Sequence, residues 1–175
     1  MTLDINWLEE ARKRKDEFVR DVQALIRIPS VRDDDGARPG APFGPKVAEA
    51  LDYMLTRGQE EGFRTKNVDG YAGHIEMGEG KKLVSVLGHI DVVPAGDGWS
   101  IDPFAAEVKD GRLYGRGAID DKGPTVAAFY AMKIIKELGV PLGQRVRLII
   151  GGDEESDWRC VDHYFKHEDM PDVGF

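Results

Sequence analysis

The chain has 175 residues, 41% of them hydrophobic and 32% charged, a balance that fits one soluble domain, or a domain and part of another, with a core of its own. Its formal net charge of −8 and the lack of a basic stripe argue against a nucleic-acid binder, which has to neutralise phosphates. No apolar run reaches the roughly 20 residues that span a bilayer, and no signal peptide opens the chain, so a cytoplasmic location is expected. Cys160 is the sole cysteine, which excludes an internal disulfide and a cysteine-built zinc cluster; any metal has to be held by histidine and carboxylate.

Helical spacing of Phe18, Val22, Leu25 and Ile26 predicts one helix from Ile5 to Ile28, with Asp4 as its cap and Pro29 as its stop. Arg32 to Pro45 is dense in Asp, Gly, Ala and Pro and reads as an irregular loop. A second amphipathic helix is predicted from Lys46 to Glu61, closed by Gly62. The period then changes: Phe63 to Val68 and Tyr71 to Met77 read as strands around Asp69-Gly70, and Leu83 to Leu87 as a stronger strand. Ala105 to Val108 and Arg112 to Tyr114 flank a second hairpin signal, Asp110-Gly111. Asp121 to Leu138 is predicted helical, Arg145 to Ile150 a strand whose apolar tail suits the centre of a sheet, and Asp157 to Lys166 a last helix. No repeat, low-complexity tract or linker interrupts this order. It predicts an α/β layered domain on a mixed sheet.

Polar clusters fall where the two best strands end, at His89/Asp91 and at Glu154/Glu155, and a third precedes the long helix at Asp120-Asp121. Adjacent carboxylates are ordinary at a helix start, where the N-terminal dipole favours them; they equally suit a bound cation, which would relieve their mutual repulsion. In an extended segment His89 and Asp91 share a side, so the carboxylate can orient the imidazole. Glu154 and Glu155 take opposite sides if the strand continues, which would let one ligate metal while the other accepts a proton from an activated water. Gly115 to Thr125 lacks the Gly-Lys-Ser/Thr order of a phosphate loop. His163 and His167 have the spacing of a helical zinc pair without the glutamate of that motif and read as surface residues. Cys160 reads as packing, and Trp99 and Trp158 as pocket or core residues.

Taken together, Gly88-His89-Ile90-Asp91-Val92-Val93-Pro94, Gly98-Trp99, Asp102-Pro103-Phe104, Gly115-Arg116-Gly117, Asp120-Asp121-Lys122-Gly123 and Asp153-Glu154-Glu155-Ser156 resemble the M20 family of co-catalytic metallopeptidases. Glu155-Ser156-Asp157-Trp158, Tyr164-Phe165-Lys166 and Met170-Pro171-Asp172 are similar to its PepV-type dipeptidase branch. The resemblance implies an exopeptidase-type fold and hydrolysis of dipeptides by a two-metal-activated water, with Zn²⁺ as the metal and Mn²⁺ or Co²⁺ as alternatives. It implies His89 on the first metal, oriented by Asp91, and Asp120 bridging both ions through a cis Asp120-Asp121 peptide. Glu155 would then sit on the second metal, with Glu154 as general base. It also implies that residues 1–175 are the N-terminal portion of a catalytic domain, incomplete at its C-terminal side and lacking a lid, with weakened metal affinity and little activity alone. Deacylation of N-acyl amino acids and a non-catalytic module self-associating through an unfinished sheet are the competing readings.

Overall fold

The computed structural model describes residues 4–175. Two helices stand where one was expected, α1 (Trp7–Lys13) and α2 (Lys15–Ile26). Asn6, not Asp4, caps the first by accepting the Glu9 N–H at 3.2 Å. The chain breaks at Arg14, whose guanidinium binds the Glu10 carbonyl at 2.7 Å and also pairs with Glu137. Helix α3 (Pro45–Glu60) starts on a proline, which needs no helical N–H at that position, and ends where Gly62 takes φ 72.

Strands β1 (Arg64–Val68) and β2 (Ala72–Met77) form the first hairpin, β3 (Leu83–His89) follows, and β4 (Glu107–Lys109) and β5 (Arg112–Tyr114) form a separate two-stranded ribbon. Helix α4 (Lys122–Glu137) leads to β6 (Arg145–Gly151), and α5 (Arg159–His167) precedes β7 (Val173–Gly174). That last strand was not anticipated; two residues give no alternation to read, and only its pairing with β3 defines it.

The main sheet has the order β1-β2-β6-β3-β7, with β6 antiparallel to β2 and parallel to β3. Cross-strand partners share a face, so the register sorts the layers. Ile75, Leu148 and Val86 lie in one row and Gly73, Ile150 and Gly88 in the next. Helices α3 and α4 cover this face: Leu55 reaches Gly73, and Thr125 lies over Gly88. Apolar residues fill the layer between, including Leu25, Leu51, Met54, Phe129, Leu148 and Ile150. No described helix is long and apolar enough to cross a membrane.

The opposite face carries Glu76, Arg147 and Ser85 in one row and His74, Ile149 and Leu87 in another. Helix α5 covers part of it with Tyr164, the largest fully buried side chain. Arg147 donates to Glu76 at 2.7 Å and to the Tyr164 hydroxyl at 3.1 Å. That hydroxyl lies 2.7 Å from His74 Nδ1, so the tyrosine accepts from the guanidinium and donates to a neutral imidazole. Burial, reinforced by the Arg147 charge, pushes His74 down to about 4, against the pull of Glu168 and Glu76.

A folded-state value below the ordinary 6.5 means that the unfolded chain binds a proton the native chain refuses between those two values. Stability contributed by neutral His74 is therefore present above pH 6.5 and is lost as pH falls towards 4, by about 1.4 kcal/mol per pH unit and about 3 kcal/mol in all. Chemical denaturation across this window should give a steeper pH slope for the parent than for His74→Gln; equal slopes would refute the assignment.

Candidate active site

The parallel pairing of β3 with β6 brings their carboxyl ends together, His89 opposite Gly151, and the crevice beyond parallel strand ends is where open α/β sheets gather ligands. Backbone bonds hold the emerging segments in place. Ile90 N–H reaches the Gly151 carbonyl at 3.0 Å, Val92 N–H the Ser30 carbonyl at 3.0 Å, and the Ser30 hydroxyl the Ile90 carbonyl at 2.5 Å.

The third contribution is the segment entering α4. The Asp120–Asp121 peptide is cis. Asp121 turns inward, its Oδ2 accepting the His89 N–H at 3.2 Å and the Thr125 hydroxyl at 2.9 Å. Asp120 turns outward, with a side chain 72% exposed and Oδ1 3.2 Å from His89 Nε2. Lys122 is fully buried and donates to the Leu25 and Ile28 carbonyls at 3.0 and 2.6 Å, capping the C-terminal end of α2. Burial pushes its ammonium down to about 7, with Asp91 the only opposing charge of note.

His89 is buried at the centre. Its Nδ1 lies 3.1 Å from the Asp91 carbonyl and 3.4 Å from Asp91 Oδ1. The carbonyl can only accept, so Nδ1 carries a proton and Nε2 faces the carboxylates. Burial alone would lower the His89 value, but Asp91 beside Nδ1, with the charges of Asp121 and Glu154, carries it up to about 9. Asp91 Oδ2 accepts the Glu155 N–H at 3.0 Å, while Oδ1 is buried without a hydrogen-bond donor.

Strand β6 ends at Gly151 and residues 154–157 form a turn, so the expected alternation of Glu154 and Glu155 does not apply. Both carboxylates reach the same cluster: Glu154 Oε2 lies 3.6 Å from His89 Nε2, and single ligand atoms of His89, Asp120 and Glu155 all fall within 4.8 Å of one another. Burial and the nearby Asp120 push the Glu155 carboxyl above its ordinary range. Asp153, in contrast, is buried as an anchor, accepting from Arg159 N–H and Nε at 3.2 and 3.1 Å. Trp158 lines a hollow beside His89 and Glu154, and Trp99 lies under the Arg116 guanidinium.

Residues 86–172 match the family model described as peptidase family M20/M25/M40. Over 171 residues the chain is 60% identical to "Putative dipeptidase YtjP" of Bacillus subtilis (strain 168), a match that covers 98% of this chain and 37% of that relative. The chain belongs to the M20 family. Among solved structures, human carnosine dipeptidase 1 superposes on this M20 chain with TM-score 0.69 and 31% identity, covering 82% of this chain and 33% of that one. The M20 metallo-carboxypeptidase Sso-CP2 of Sulfolobus solfataricus gives TM-score 0.66 and 25% identity, covering 79% and 31%.

M20 membership implies divalent metal ions, and the residues present fit them. One imidazole nitrogen and two carboxylates converge, a donor set that suits Zn²⁺, Mn²⁺ or Co²⁺. Asp91, behind the imidazole, supplies the carboxylate that commonly orients a ligating histidine. The negative charge crowded around His89 Nε2, with Asp120 at 3.2 Å and Glu154 at 3.6 Å, is what a cation would offset.

Gly88 is what allows α4 to approach this closely: a Cβ there would lie 2.4 Å from Thr125 Oγ1 and 3.0 Å from Asp121 Oδ2. Gly88→Ala should therefore displace the residues that hold His89 and destabilise the fold by about 1–3 kcal/mol. Asp121→Ala strands the buried His89 N–H and should cost a similar about 1–3 kcal/mol, with Asp121→Asn recovering part of it. Urea unfolding of the three variants checks both expectations; parental stability in Gly88→Ala would show that the close approach is not constraining.

Proposed function

We propose that the protein carrying this chain hydrolyses dipeptides at a two-metal centre. The observation that carries the reading is the convergence of His89, Asp120 and Glu155 on one point, with Glu154 beside them. The dipeptide substrate rests on the names of relatives, the 60%-identical bacterial protein and the carnosine dipeptidase. Because the chain spans 37% of that bacterial relative, the activity is proposed for a protein of comparable length.

His89 and Asp120 would hold one cation, and Asp120 and Glu155 the other, with Zn²⁺ preferred and Mn²⁺ or Co²⁺ as alternatives. Bound there, the cations would polarise the scissile carbonyl and make a nearby water more acidic. Glu154, partly exposed and next to the cluster, accepts the proton of the attacking water and delivers it to the departing amine nitrogen, a transfer that a carboxylate in hydrogen-bond reach performs in both directions. Asp91 keeps the His89 ring in one orientation, with Nδ1 protonated and Nε2 turned to the cluster. Asp121 and Lys122 act on position alone: one fixes the His89 backbone, the other fastens the entry of α4 to the end of α2.

Glu154→Gln in the full-length protein should lower turnover of a dipeptide by about 10²–10⁴-fold with metal content unchanged, whereas His89→Asn should lose metal as measured by elemental analysis. Undiminished turnover in Glu154→Gln would remove the general-base assignment. A side-by-side assay with an N-acetyl amino acid tests the substrate: faster cleavage of the acyl compound would replace the dipeptidase reading with a deacylase.

A further inference from the structure

A second group of ligand-type side chains lies away from the His89 cluster. Asp69 occupies the turn between β1 and β2 at φ 54, and His163 and His167 are one turn apart on α5. One ligand atom of each falls within 4.8 Å of the other two. His163 Nε2 is 2.9 Å from Asp69 Oδ2, and its ring is stacked on Tyr71 with centroids 4.0 Å apart at 14°. His167 Nδ1 lies 2.8 Å from the His163 carbonyl. A carbonyl only accepts, so Nδ1 is the protonated nitrogen and Nε2 keeps its lone pair, the tautomer that a ligating histidine needs and that such a backbone bond commonly fixes.

We propose that Asp69, His163 and His167 form a separate surface site for a divalent transition-metal ion, with water completing the coordination. Two imidazoles and one carboxylate suit Zn²⁺, Ni²⁺ or Cu²⁺ and disfavour Mg²⁺ and Ca²⁺, which prefer all-oxygen shells. Bonds of about 2.0–2.1 Å in a tetrahedral site set ligand atoms roughly 3.3 Å apart, so the group closes by about 1.5 Å at most. Asp69 is exposed and makes most of that adjustment by changing rotamer, His167 needs only a small torsional shift that keeps its Nδ1 bond to the His163 carbonyl, and the Tyr71 stack holds His163 as the fixed ligand. A hydrogen bond accounts for Asp69 and His163, and the His167 ring stacks on His163 with centroids 4.3 Å apart at 30°, but neither contact engages the Nε2 lone pair of His167.

The test is a Zn²⁺ titration of the full chain, near neutral pH and against a chromophoric chelator, with Asp120→Asn and Glu155→Gln silencing the first cluster. One equivalent of Zn²⁺ should remain, unaffected by roughly millimolar Mg²⁺, and His163→Asn or His167→Asn should weaken it by at least about tenfold. His167 is exposed, so His167→Asn preserves the fold, which matching thermal melts verify. In the parent chain, Cu²⁺ should broaden the NMR signals of Tyr71 and both histidines. No remaining equivalent, or one indifferent to both histidine variants, overturns the proposal. Neither result bears on the dipeptidase reading, since the residues are distinct.

Discussion

The approach of the α4 N-terminus to the end of β3 is the contact on which the rest of the site depends. Gly88 leaves room for Thr125 and Asp121, and Asp121 uses that room to bond the backbone of His89. Its neighbour Asp120 then faces outward onto the His89 ring. Lys122 continues the same device on the far side, since its two bonds to Leu25 and Ile28 carbonyls tie the α4 entry to α2. Four consecutive residues, Asp120 to Gly123, thus divide between a ligand-type side chain, a backbone clamp, a helix cap and a close approach. The Gly123 position is as tight as Gly88, a Cβ there lying 2.2 Å from the Ala118 carbonyl.

Two buried histidines show how strongly local partners govern charge in this fold. His74 meets a tyrosine hydroxyl and an arginine and stays neutral. His89 meets Asp91, Asp121 and Glu154 and is driven the other way. Both lie on the α5 face of the sheet, on β2 and β3, so the difference arises from neighbours and not from depth. The first arrangement is self-sufficient, because Arg147 and Glu76 complete each other at 2.7 Å. The second retains excess negative charge around His89 Nε2, where Asp120 and Glu154 lie at 3.2 and 3.6 Å, which marks it as a place for a cation.

Much of this was legible from residue types and spacing. The β2, β3 and β6 strands and the α3 and α4 helices follow their periodicities to within a residue or two, and the three polar stations do converge, although the choice of Glu155 over Glu154 as the ligand comes from the family resemblance and not from spacing. What escaped depends on partners distant in sequence. The break at Arg14 is fixed partly by Glu137, and β7 exists only through its pairing with β3. Nothing in the sequence around Lys122 points to its role, because the carbonyls it caps lie more than ninety positions earlier. The turn after Gly151 brings Glu154 and Glu155, expected on opposite sides, to the same cluster, since alternation holds only while a strand continues. His163 and His167 read as plain surface residues because the third member, Asp69, sits across the fold on a hairpin turn.

The parallel pairing of β3 with β6 has a thermodynamic consequence. His89 stands at the end of one strand, Glu155 just beyond the other, and the long α4 crossover lies between them in sequence. A cation that gripped both would be bound only by chains in which the sheet centre is already assembled, so its binding energy would add to the stability of the whole fold, by about 4 kcal/mol at a thousandfold excess over its dissociation constant. Partial fraying of β1 or β7 would leave that grip intact, whereas parting β3 from β6 would release it. Occupancy of the crevice would in that sense act as a non-covalent rivet through the middle of the sheet.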